Sequence, residues 1–586
     1  MRPMLTSIVV LASTLAVALP VTAQDLPTVS VLGMTVPDYD PMAGAKMGIA
    51  GLFERKVGVG DRTAKLYVPA DARLGTSMVV LNVPEDKETV QWLSDSGWLA
   101  VADEHKILLY VLEAAPDGTW GSVEEEREYF ETTYANISEG TPEGRAIYYL
   151  PPESYYVVGY GAPGTLLHEL AMKDPTLVAS AAFVHASDVP ASVVNAMDEQ
   201  VYDTPDWNGE ELAASDVPMP VLMIEPDELA GDAEAVAQYW METNHVGSEG
   251  ETVEGGTTYT QEDGTLGYFV APSSRLQVSV LENQDLDSLD AATLYDGFLA
   301  KYTRYGGAAG GNTVGSRPDY EALGVEAKTM EVDGRLREYL VYVPQAVKDA
   351  GEPAPLVYAL HGSGMTMNAM FDYSRWWEIA DAEGFILVVP AGLNTANRTG
   401  WDVSNNSTDI KFIDALVDQV NADYNVDQSR IYLSGQSNGS AMTHAVGRDL
   451  ELSRHFAALG STSGGGTSDD TAGNPLPYYL IWGEFDFWPG ELAEPQENEA
   501  SYAMNPALAY WIARNDAEGT TTTPASETQN GRFETYGWTN SAGEEVLKYT
   551  ITHGRGHSII PAEMELLWDW FENWRLEDDM PTPAST

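Results

Sequence analysis

A serine flanked by glycines stands where a short apolar segment meets a helical pattern. Residues 435–439 are Gly-Gln-Ser-Asn-Gly, with Ser437 at the centre, and the chain has no other Gly-x-Ser-x-Gly segment. The apolar residues 431–433 precede it, and a helical pattern follows from Ala441. Glycines on both sides permit a tight strand-to-helix turn that lifts the serine hydroxyl above a sheet. The sequence therefore predicts that Ser437 is a nucleophile.

A serine nucleophile needs a base to take its proton and an acid to orient that base. The strand pattern at residues 478–482 leads into Gly-Glu-Phe-Asp, which offers Asp486 as the acid and Glu484 as the alternative. His557 lies between the last strand pattern and the last helix, beyond a Gly-Arg-Gly turn. We predict His557 as the base and a structural role for His553. The order serine, acid, histidine is the one expected for this type of turn.

Two further features complete the predicted site. Backbone N–H groups must stabilise the developing oxyanion, and the residue after the nucleophile, Asn438, should supply one. The second is expected from Ser363, in the loop His-Gly-Ser-Gly that follows the strand pattern at residues 356–360. Tryptophan suits flat ligands, so Trp401 and Trp488 are predicted to bind substrate, although burial in the core is the alternative for each.

The elements that must position these residues form two similar halves. In each half, short β-branched runs alternate with longer helical patterns, which is typical of a parallel sheet covered by helices. Five segments recur in the same order, which favours a duplicated domain. They are residues 65–69 and 340–344, 78–83 and 356–360, 97–101 and 384–388, 155–159 and 431–435, and 294–298 and 567–571.

The first half repeats this plan without the reactive residues. Gly161 stands at the position of the serine, and Pro84, which has no N–H, stands in the counterpart of the oxyanion loop. Counting from matched segments places Leu229 near the acid position, with Asp227 close by, and Gln284 near the histidine position. We interpret this half as catalytically inactive. It either contributes to substrate binding or only stabilises the other half.

Domain boundaries follow from these patterns. Residues 1–23 have a positive start, an apolar run and a small-residue cleavage pattern, which predict a signal peptide. We expect the inactive domain at residues 24–304, a Gly-rich linker at 305–320, the catalytic domain at 321–578 and a disordered tail at 579–586. A signal peptide predicts secretion, to the periplasm or beyond the cell, and no stable membrane anchor is expected.

Composition excludes several classes of function. The chain has no cysteine, so disulfides, thiol nucleophiles and zinc–thiolate sites are ruled out. Its 89 acidic residues outnumber 31 basic ones, for a formal net charge of −58. Such a chain repels phosphate backbones, and we expect no nucleic acid partner.

At these motifs the second half resembles α/β-hydrolase esterases of the polyhydroxybutyrate depolymerase and feruloyl esterase group. The resemblance covers about residues 331–575 and rests on the motifs above, on Trp401 and on the helix from Asp409. It differs at Ser440, where the group usually has a glycine, and in its aromatic segment 487–489. It implies a fold of two tandem α/β-hydrolase-like domains, each with a mostly parallel sheet flanked by helices.

The resemblance also implies a reaction. It is that of a secreted serine esterase without metal or organic cofactor, in which Ser437 is the nucleophile, Asp486 the acid and His557 the base. The expected substrate is an ester, part of a polymer or of its fragments, such as polyhydroxyalkanoate or feruloyl and acetyl esters of polysaccharide. The alternatives are a serine peptidase and a non-catalytic polymer-binding protein built from two decayed hydrolase domains.

Overall fold

The computed structural model describes residues 30–31, 34–35, 42–138, 154–202, 205–206, 208–262, 270–285, 289–305, 313–392, 399–466, 471–486 and 505–584. The predicted signal peptide at residues 1–23 and Trp488 lie outside the described residues. A small antiparallel hairpin comes first, formed by β1 (Ser30–Val31) and β2 (Met34–Thr35).

A ten-stranded sheet occupies the first half of the chain. Its strands are β3 (Gly51–Lys56), β4 (Thr63–Val68), β5 (Met78–Asn82), β6 (Leu108–Leu112), β7 (Tyr155–Tyr160), β8 (Val178–Val184), β9 (Val221–Ile224), β10 (Glu251–Val253), β11 (Gly256–Thr260) and β12 (Gln277–Leu281). They lie in the order β10-β11-β12-β9-β8-β7-β5-β6-β4-β3. The six strands from β12 to β6 pair in parallel, and antiparallel strands flank them on both edges.

Helices connect these strands. The α-helices of the first half are Thr89–Asp95, Trp98–His105, Val123–Ser138, Gly161–Lys173, Ala191–Val194, Asp232–Thr243 and Ala291–Tyr295. After them, β13 (Tyr302–Arg304) pairs antiparallel with β14 (Val314–Ser316).

The second half forms another ten-stranded sheet. Its strands are β15 (Glu326–Val332), β16 (Arg335–Tyr342), β17 (Ala354–Leu360), β18 (Ile386–Pro390), β19 (Val426–Gln436), β20 (Ala458–Thr462), β21 (Tyr478–Gly483), β22 (Ser526–Asn530), β23 (Phe533–Thr539) and β24 (Glu545–Thr552). Its order is β15-β16-β18-β17-β19-β20-β21-β24-β23-β22. The α-helices are Tyr320–Leu323, Gln345–Ala350, Met367–Ser374, Trp376–Glu383, Thr408–Asp423, Asn438–Arg448, Pro506–Arg514 and Pro561–Phe571.

The two sheets have the same topology, strand for strand. When the first sheet is read from β3 and the second from β15, each sheet has its third and fourth strands in exchanged positions, β6 before β5 and β18 before β17, and each ends in an antiparallel hairpin. Apolar residues pack on both faces of each sheet, as parallel strands require. The predicted fold class, two tandem α/β-hydrolase-like domains with mostly parallel sheets and flanking helices, is confirmed.

Arginine–carboxylate ion pairs also occupy corresponding places in the two halves. Arg62 contacts Glu126 at 2.5 Å, and Arg337 contacts Asp409 at 2.7 Å. The Arg337 and Asp409 side chains are 1% and 0% exposed. In each pair the carboxylate lies in the helix between the fourth and fifth sheet strands and the arginine lies at the second strand. Each pair therefore ties that helix to the antiparallel edge of its sheet.

Two segments differ from the sequence-based expectation. In the predicted linker, Val314–Ser316 forms β14, because the backbone groups of β13 need hydrogen-bond partners. A helix then begins at Tyr320, the last residue of that segment. The tail predicted to be disordered contains β26 (Met580–Pro583), which pairs with β25 (Trp574–Glu577). Asp578 and Asp579 have φ values of 50° and 62°, the conformation of a tight hairpin turn. Among the described residues, no helix is both long enough and apolar enough to cross a bilayer.

Two equivalent histidines lie in the cores, nine residues beyond Gly159 and Gly435. His168 donates from Nδ1 to the carbonyl of Ala186 and accepts from the Trp240 indole at 2.8 Å. His444 packs edge-on against Trp511. Burial lowers the pKa of each histidine to about 3. Both are therefore neutral packing residues in the folded chain.

Because His168 and His444 are buried in the neutral form, we predict that the free energy of unfolding falls in mild acid. The unfolded chain protonates a histidine near its usual pKa of about 6.5, whereas the folded chain resists protonation down to about 3, so the stabilisation is complete above pH 6.5 and declines below it. At pH 5 the loss is roughly 2 kcal/mol for each histidine. We expect His168→Gln and His444→Gln each to flatten the fall of the thermal midpoint between pH 7 and pH 5. The partly exposed His455 provides the control, His455→Gln, which should retain the wild-type slope. A wild-type slope in both core variants would contradict the prediction.

Candidate functional site

Ser437 lies at a strained turn between β19 and the helix Asn438–Arg448. Its φ of 52° and ψ of −113° fall outside the regions that side-chain-bearing residues prefer. A Cβ on Gly435 would approach the backbone of Gly439 to 2.3 Å, and a Cβ on Gly439 would approach the carbonyl oxygen of Leu360 to 2.2 Å. The two glycines are therefore required for the helix to start this close to the sheet.

The structure brings Ser437, His557 and Asp486 together. His557 Nε2 lies 2.9 Å from Ser437 Oγ, and His557 Nδ1 lies 2.6 Å from Asp486 Oδ1. Ser437 is half-buried, the His557 side chain is 28% exposed and the Asp486 side chain is 0% exposed. A hydroxyl next to an imidazole that a carboxylate orients can be deprotonated while it attacks a carbonyl carbon.

Three parallel strands bring these side chains to one edge of the sheet. Ser437 directly follows β19, Asp486 lies three residues after β21, and His557 lies in the loop between β24 and the helix Pro561–Phe571. Parallel strands place their carboxyl ends on the same side, which is where ligands bind in α/β sheets. The close contact of residues 120 positions apart therefore follows from the sheet order.

The two alternative residues of the sequence analysis form a separate pair. Glu484 Oε2 lies 3.3 Å from His553 Nδ1 and accepts from the N–H of Gly554 at 3.0 Å. The Glu484 side chain is 42% exposed. His553 also faces Glu534 at 3.4 Å. Glu484 and His553 thus contact each other, and the contact to His557 is made by Asp486.

The carboxyl group of Asp486 is held in its ionised form. Burial raises its pKa, but the hydrogen bond and charge of His557 and the charge of Arg555 outweigh burial, so its pKa lies below the usual value. The Gly-Arg-Gly pattern predicted only a turn around Arg555, and it did not indicate the contact of this side chain with Asp486. The sequence feature that could have indicated this contact is an arginine between two glycines, two residues before the predicted base, in a chain with few basic residues.

The predicted oxyanion donors lie in neighbouring loops. Asn438 is the first residue of its helix, where backbone N–H groups have no acceptor within the helix. Its side chain accepts from the backbone N–H of Trp401 at 2.5 Å and donates to the Trp401 carbonyl at 3.2 Å. A Cβ built on Gly400 would lie 3.0 Å from Asn438 Oδ1 and 3.7 Å from Ser363 Cα. Asn438 and Ser363 thus flank the same glycine.

Trp401 does not present its ring to a substrate, so this prediction is wrong. The residue is 2% exposed, and its indole N–H donates to the carbonyl of His361 at 2.8 Å. The first half repeats this bond, since the Trp120 indole donates to the Val83 carbonyl at 3.0 Å. A bond that occurs in both halves, next to the same strand end, is a structural support of the loop.

His361 and Ser440 also have structural roles. His361 Nε2 accepts from the N–H of Gly392 at 2.8 Å, and burial lowers the pKa of His361 to about 4. The Ser440 hydroxyl contacts the carbonyls of Gly435 and Thr462, each at 2.7 Å. The hydroxyl therefore fits between two strand ends at the position where the resemblance leads one to expect glycine.

The first half preserves the turn but not the reactive groups. Gly161 follows β7 with a φ of 63°, close to the value at Ser437. The pairing of β8 with β9 matches that of β20 with β21, which places Leu229 at the position of Asp486. At the corresponding edge, the first half therefore has a hydrogen atom and an alkyl group in place of the hydroxyl and the carboxylate.

Comparisons with known proteins relate part of the chain to esterases. No family model matches it. The chain is 28% identical over 253 residues to a bifunctional acetylxylan esterase/xylanase of Neocallimastix patriciarum, covering 43% of this chain and 35% of that protein. It is 34% identical over 153 residues to feruloyl esterase C of Emericella nidulans, covering 25% of this chain and 54% of that protein. The chain thus spans about half or less of these relatives.

A solved structure gives a similar partial match. The acetyl xylan esterase from Aspergillus awamori aligns with a TM-score of 0.33 and 18% identity, covering 42% of this chain and 99% of that chain.

The steric requirement at the turn gives a test. Gly439→Ala should lower stability by about 3 kcal/mol or more, because its Cβ would lie 2.2 Å from the Leu360 carbonyl oxygen and the backbone would have to move. Gly247→Ala is the matched control, since its Cβ would meet only the tip of the Glu262 side chain, at 3.4 Å. Thermal unfolding followed by circular dichroism measures both. An unchanged midpoint for Gly439→Ala would contradict the close approach.

Proposed function

We propose that this protein is a secreted serine esterase that hydrolyses carboxylic esters carried by a polysaccharide. The observation that carries the proposal is the continuous contact from Ser437 Oγ through His557 to Asp486, at 2.9 Å and 2.6 Å. Relatives named as acetylxylan and feruloyl esterases support an ester, rather than an amide, as the bond that is cleaved.

Each side chain then has one task. Ser437 Oγ attacks the ester carbonyl carbon while His557 Nε2 takes the hydroxyl proton, and Asp486 holds the protonated ring in place. The tetrahedral intermediate collapses, the C–O bond to the alcohol breaks and His557 returns the proton to the leaving oxygen. Water then attacks the acyl-enzyme with His557 again as base. The carboxylic acid departs and Ser437 recovers its proton.

The negative charge on the substrate oxygen needs donors that are in place before the reaction. We assign the backbone N–H groups of Asn438 and Ser363. Three features support this choice: the position of Asn438 at a helix start, the position of Asn438 and Ser363 on either side of Gly400, and the two hydrogen bonds that join the Asn438 side chain to the backbone of Trp401.

The substrate class and the cellular location are part of the same proposal. Acetyl and feruloyl esters of polysaccharide come first, because the relatives carry those names. Polyhydroxyalkanoate follows only from the resemblance of the motifs. The signal-peptide pattern at residues 1–23 supports secretion. The first half is assigned as catalytically inactive, since Gly161 and Leu229 replace the nucleophile and the acid.

Covalent labelling tests the nucleophile. A fluorophosphonate probe should label the wild-type chain at Ser437, and Ser437→Ala should abolish both labelling and hydrolysis, with kcat/KM falling by at least about 10,000-fold. The substrates to compare are p-nitrophenyl acetate, methyl ferulate, acetylated xylan and short hydroxybutyrate oligomers. Faster turnover of hydroxybutyrate oligomers would contradict the polysaccharide assignment. A wild-type chain that neither labels nor hydrolyses any of them would contradict the esterase.

The choice between two nearby carboxylates gives a second test. Asp486→Asn should lower kcat by roughly 1,000- to 10,000-fold, because the amide disfavours the productive tautomer of the histidine. Glu484→Gln removes a carboxylate from the same strand end and should keep kcat within about twofold, since Glu484 contacts His553. Both variants are assayed on the substrate that the wild type prefers. A large loss in Glu484→Gln alone would reverse the assignment of the acid.

A further inference from the structure

A fully buried arginine lies beside the acid of the proposed site. The Arg555 side chain is 0% exposed, and its Nη1 lies 3.4 Å from Asp486 Oδ2. On its other side, Arg555 Nε lies 2.6 Å from Glu563 Oε1, in the helix Pro561–Phe571. The Asp486 and Glu563 side chains are also 0% exposed. A guanidinium is costly to bury unless carboxylates and further acceptors surround it, so its position between two carboxylates is structurally specified.

The remaining contacts of Arg555 hold the loop that carries His557. Arg555 Nη1 donates to the carbonyls of Gly556 and Ser558, at 2.9 Å and 3.1 Å, on either side of that histidine. It also donates to Ser463 Oγ at 2.5 Å, in the loop after β20. One side chain thus connects three segments: the base loop, the acid loop and the loop beside the nucleophile turn.

The loop that carries His557 must be held in place for the proposed reaction. His557 must meet Ser437 on one side and Asp486 on the other, and a displacement of about 1 Å can cost a reaction roughly 100-fold. The loop around His557 contains two glycines, which do not fix its path by themselves. The bonds from Arg555 to the carbonyls on both sides of the histidine provide that restraint.

We propose that Arg555 is a positioning residue of this site, which orients the base loop and the acid together through its planar guanidinium. The inference rests on the proposed esterase function. It assigns no contact between Arg555 and the substrate, because the side chain is buried behind Asp486 and His557. Glu563 completes the arrangement by holding the guanidinium from the helix side.

The charged and titratable groups around Arg555 determine the expected pH response. Burial raises the pKa of Glu563, and the charge of Arg555 opposes that effect. Burial also raises the pKa of Tyr305 to about 12, so this phenol stays neutral. The groups whose charges interact here are Asp486, His557, Glu563, Arg532, Tyr305 and Tyr549. A positive charge at position 555 therefore favours the ionised form of Asp486.

Four variants test the inference, with kcat, KM and the pH profile of kcat/KM as readouts. Arg555→Met should lower kcat about 100-fold with KM nearly unchanged, and should move the acid limb of kcat/KM up by about one pH unit, because loss of the positive charge favours a proton on the hydrogen-bonded pair of Asp486 and His557. Arg555→Lys keeps the positive charge, but its single ammonium group cannot contact Glu563 and the base loop from two separate nitrogens as the guanidinium does. We therefore expect kcat to stay reduced while the acid limb returns to the wild-type pH. Glu563→Gln should move the acid limb to lower pH. Arg454→Met, at an exposed arginine, should change none of these three readouts.

The outcomes separate this inference from the function on which it rests. A wild-type chain without hydrolysis or labelling at Ser437 contradicts the esterase. An active wild type, with folded Arg555→Met at the wild-type kcat and pH profile, contradicts the positioning role. Equal losses in the methionine and lysine variants with an unmoved acid limb would indicate only structural support, and would also overturn it.

A milder variant keeps the test decisive if Arg555→Met does not fold. Ser463→Ala removes the shortest contact of the guanidinium together with the bonds of the same hydroxyl to the Ser558 carbonyl and to Asp486, and should lower kcat about tenfold without changing KM. A wild-type kcat in folded Ser463→Ala and Arg555→Lys would contradict the proposal.

Discussion

The close approach of the helix Asn438–Arg448 to the end of β17 is the constraint on which the site depends. A side chain at Gly439 would overlap the carbonyl oxygen of Leu360, and one at Gly435 would overlap Gly439 itself. Because the helix starts this close to the strand, the chain must change direction within one residue. That residue is Ser437, whose backbone has a positive φ of 52°. The strain places the hydroxyl at the carboxyl edge of the sheet, where the loops after β21 and β24 also end. Every contact of the proposed triad follows from that edge.

The first half separates this steric constraint from the chemistry. A side chain at Gly164 would approach the backbone of Gly159 to 2.6 Å, and Gly161 still has a positive φ. The helix therefore also starts close to the strand that precedes it, although no hydroxyl is present to use the geometry. Close glycine contacts at this turn therefore belong to the fold, and an elbow pattern becomes a prediction of catalysis only when serine, acid and histidine accompany it.

Sequence predicted the features that depend on local pattern and chain order. The alternation of strands and helices, the turn at Ser437 and the chain order of Ser437, Asp486 and His557 are all of this kind, and the fold class is confirmed. It could not predict features that depend on three-dimensional neighbours. The burial of Trp401 depends on a carbonyl 40 residues away, and Arg555 meets Ser463 across 92 positions. The hairpin that includes residues 580–583 required knowing that β25 offers backbone partners there.

The distribution of positive charge connects the acidic composition to the site. Among the residues that the structure describes, seven arginines are buried: Arg55, Arg304, Arg337, Arg375, Arg514, Arg532 and Arg555. Seven carboxylates of the described residues are buried as well, so the buried charges balance by number and the excess of 89 acidic over 31 basic residues falls on the rest of the chain. Surface repulsion is screened by salt over about 10 Å, whereas a pair without solvent contact is screened far less. Arg555 and its two carboxylates are 0% exposed, so the geometry around His557 is insulated from the ionic strength that governs the surface.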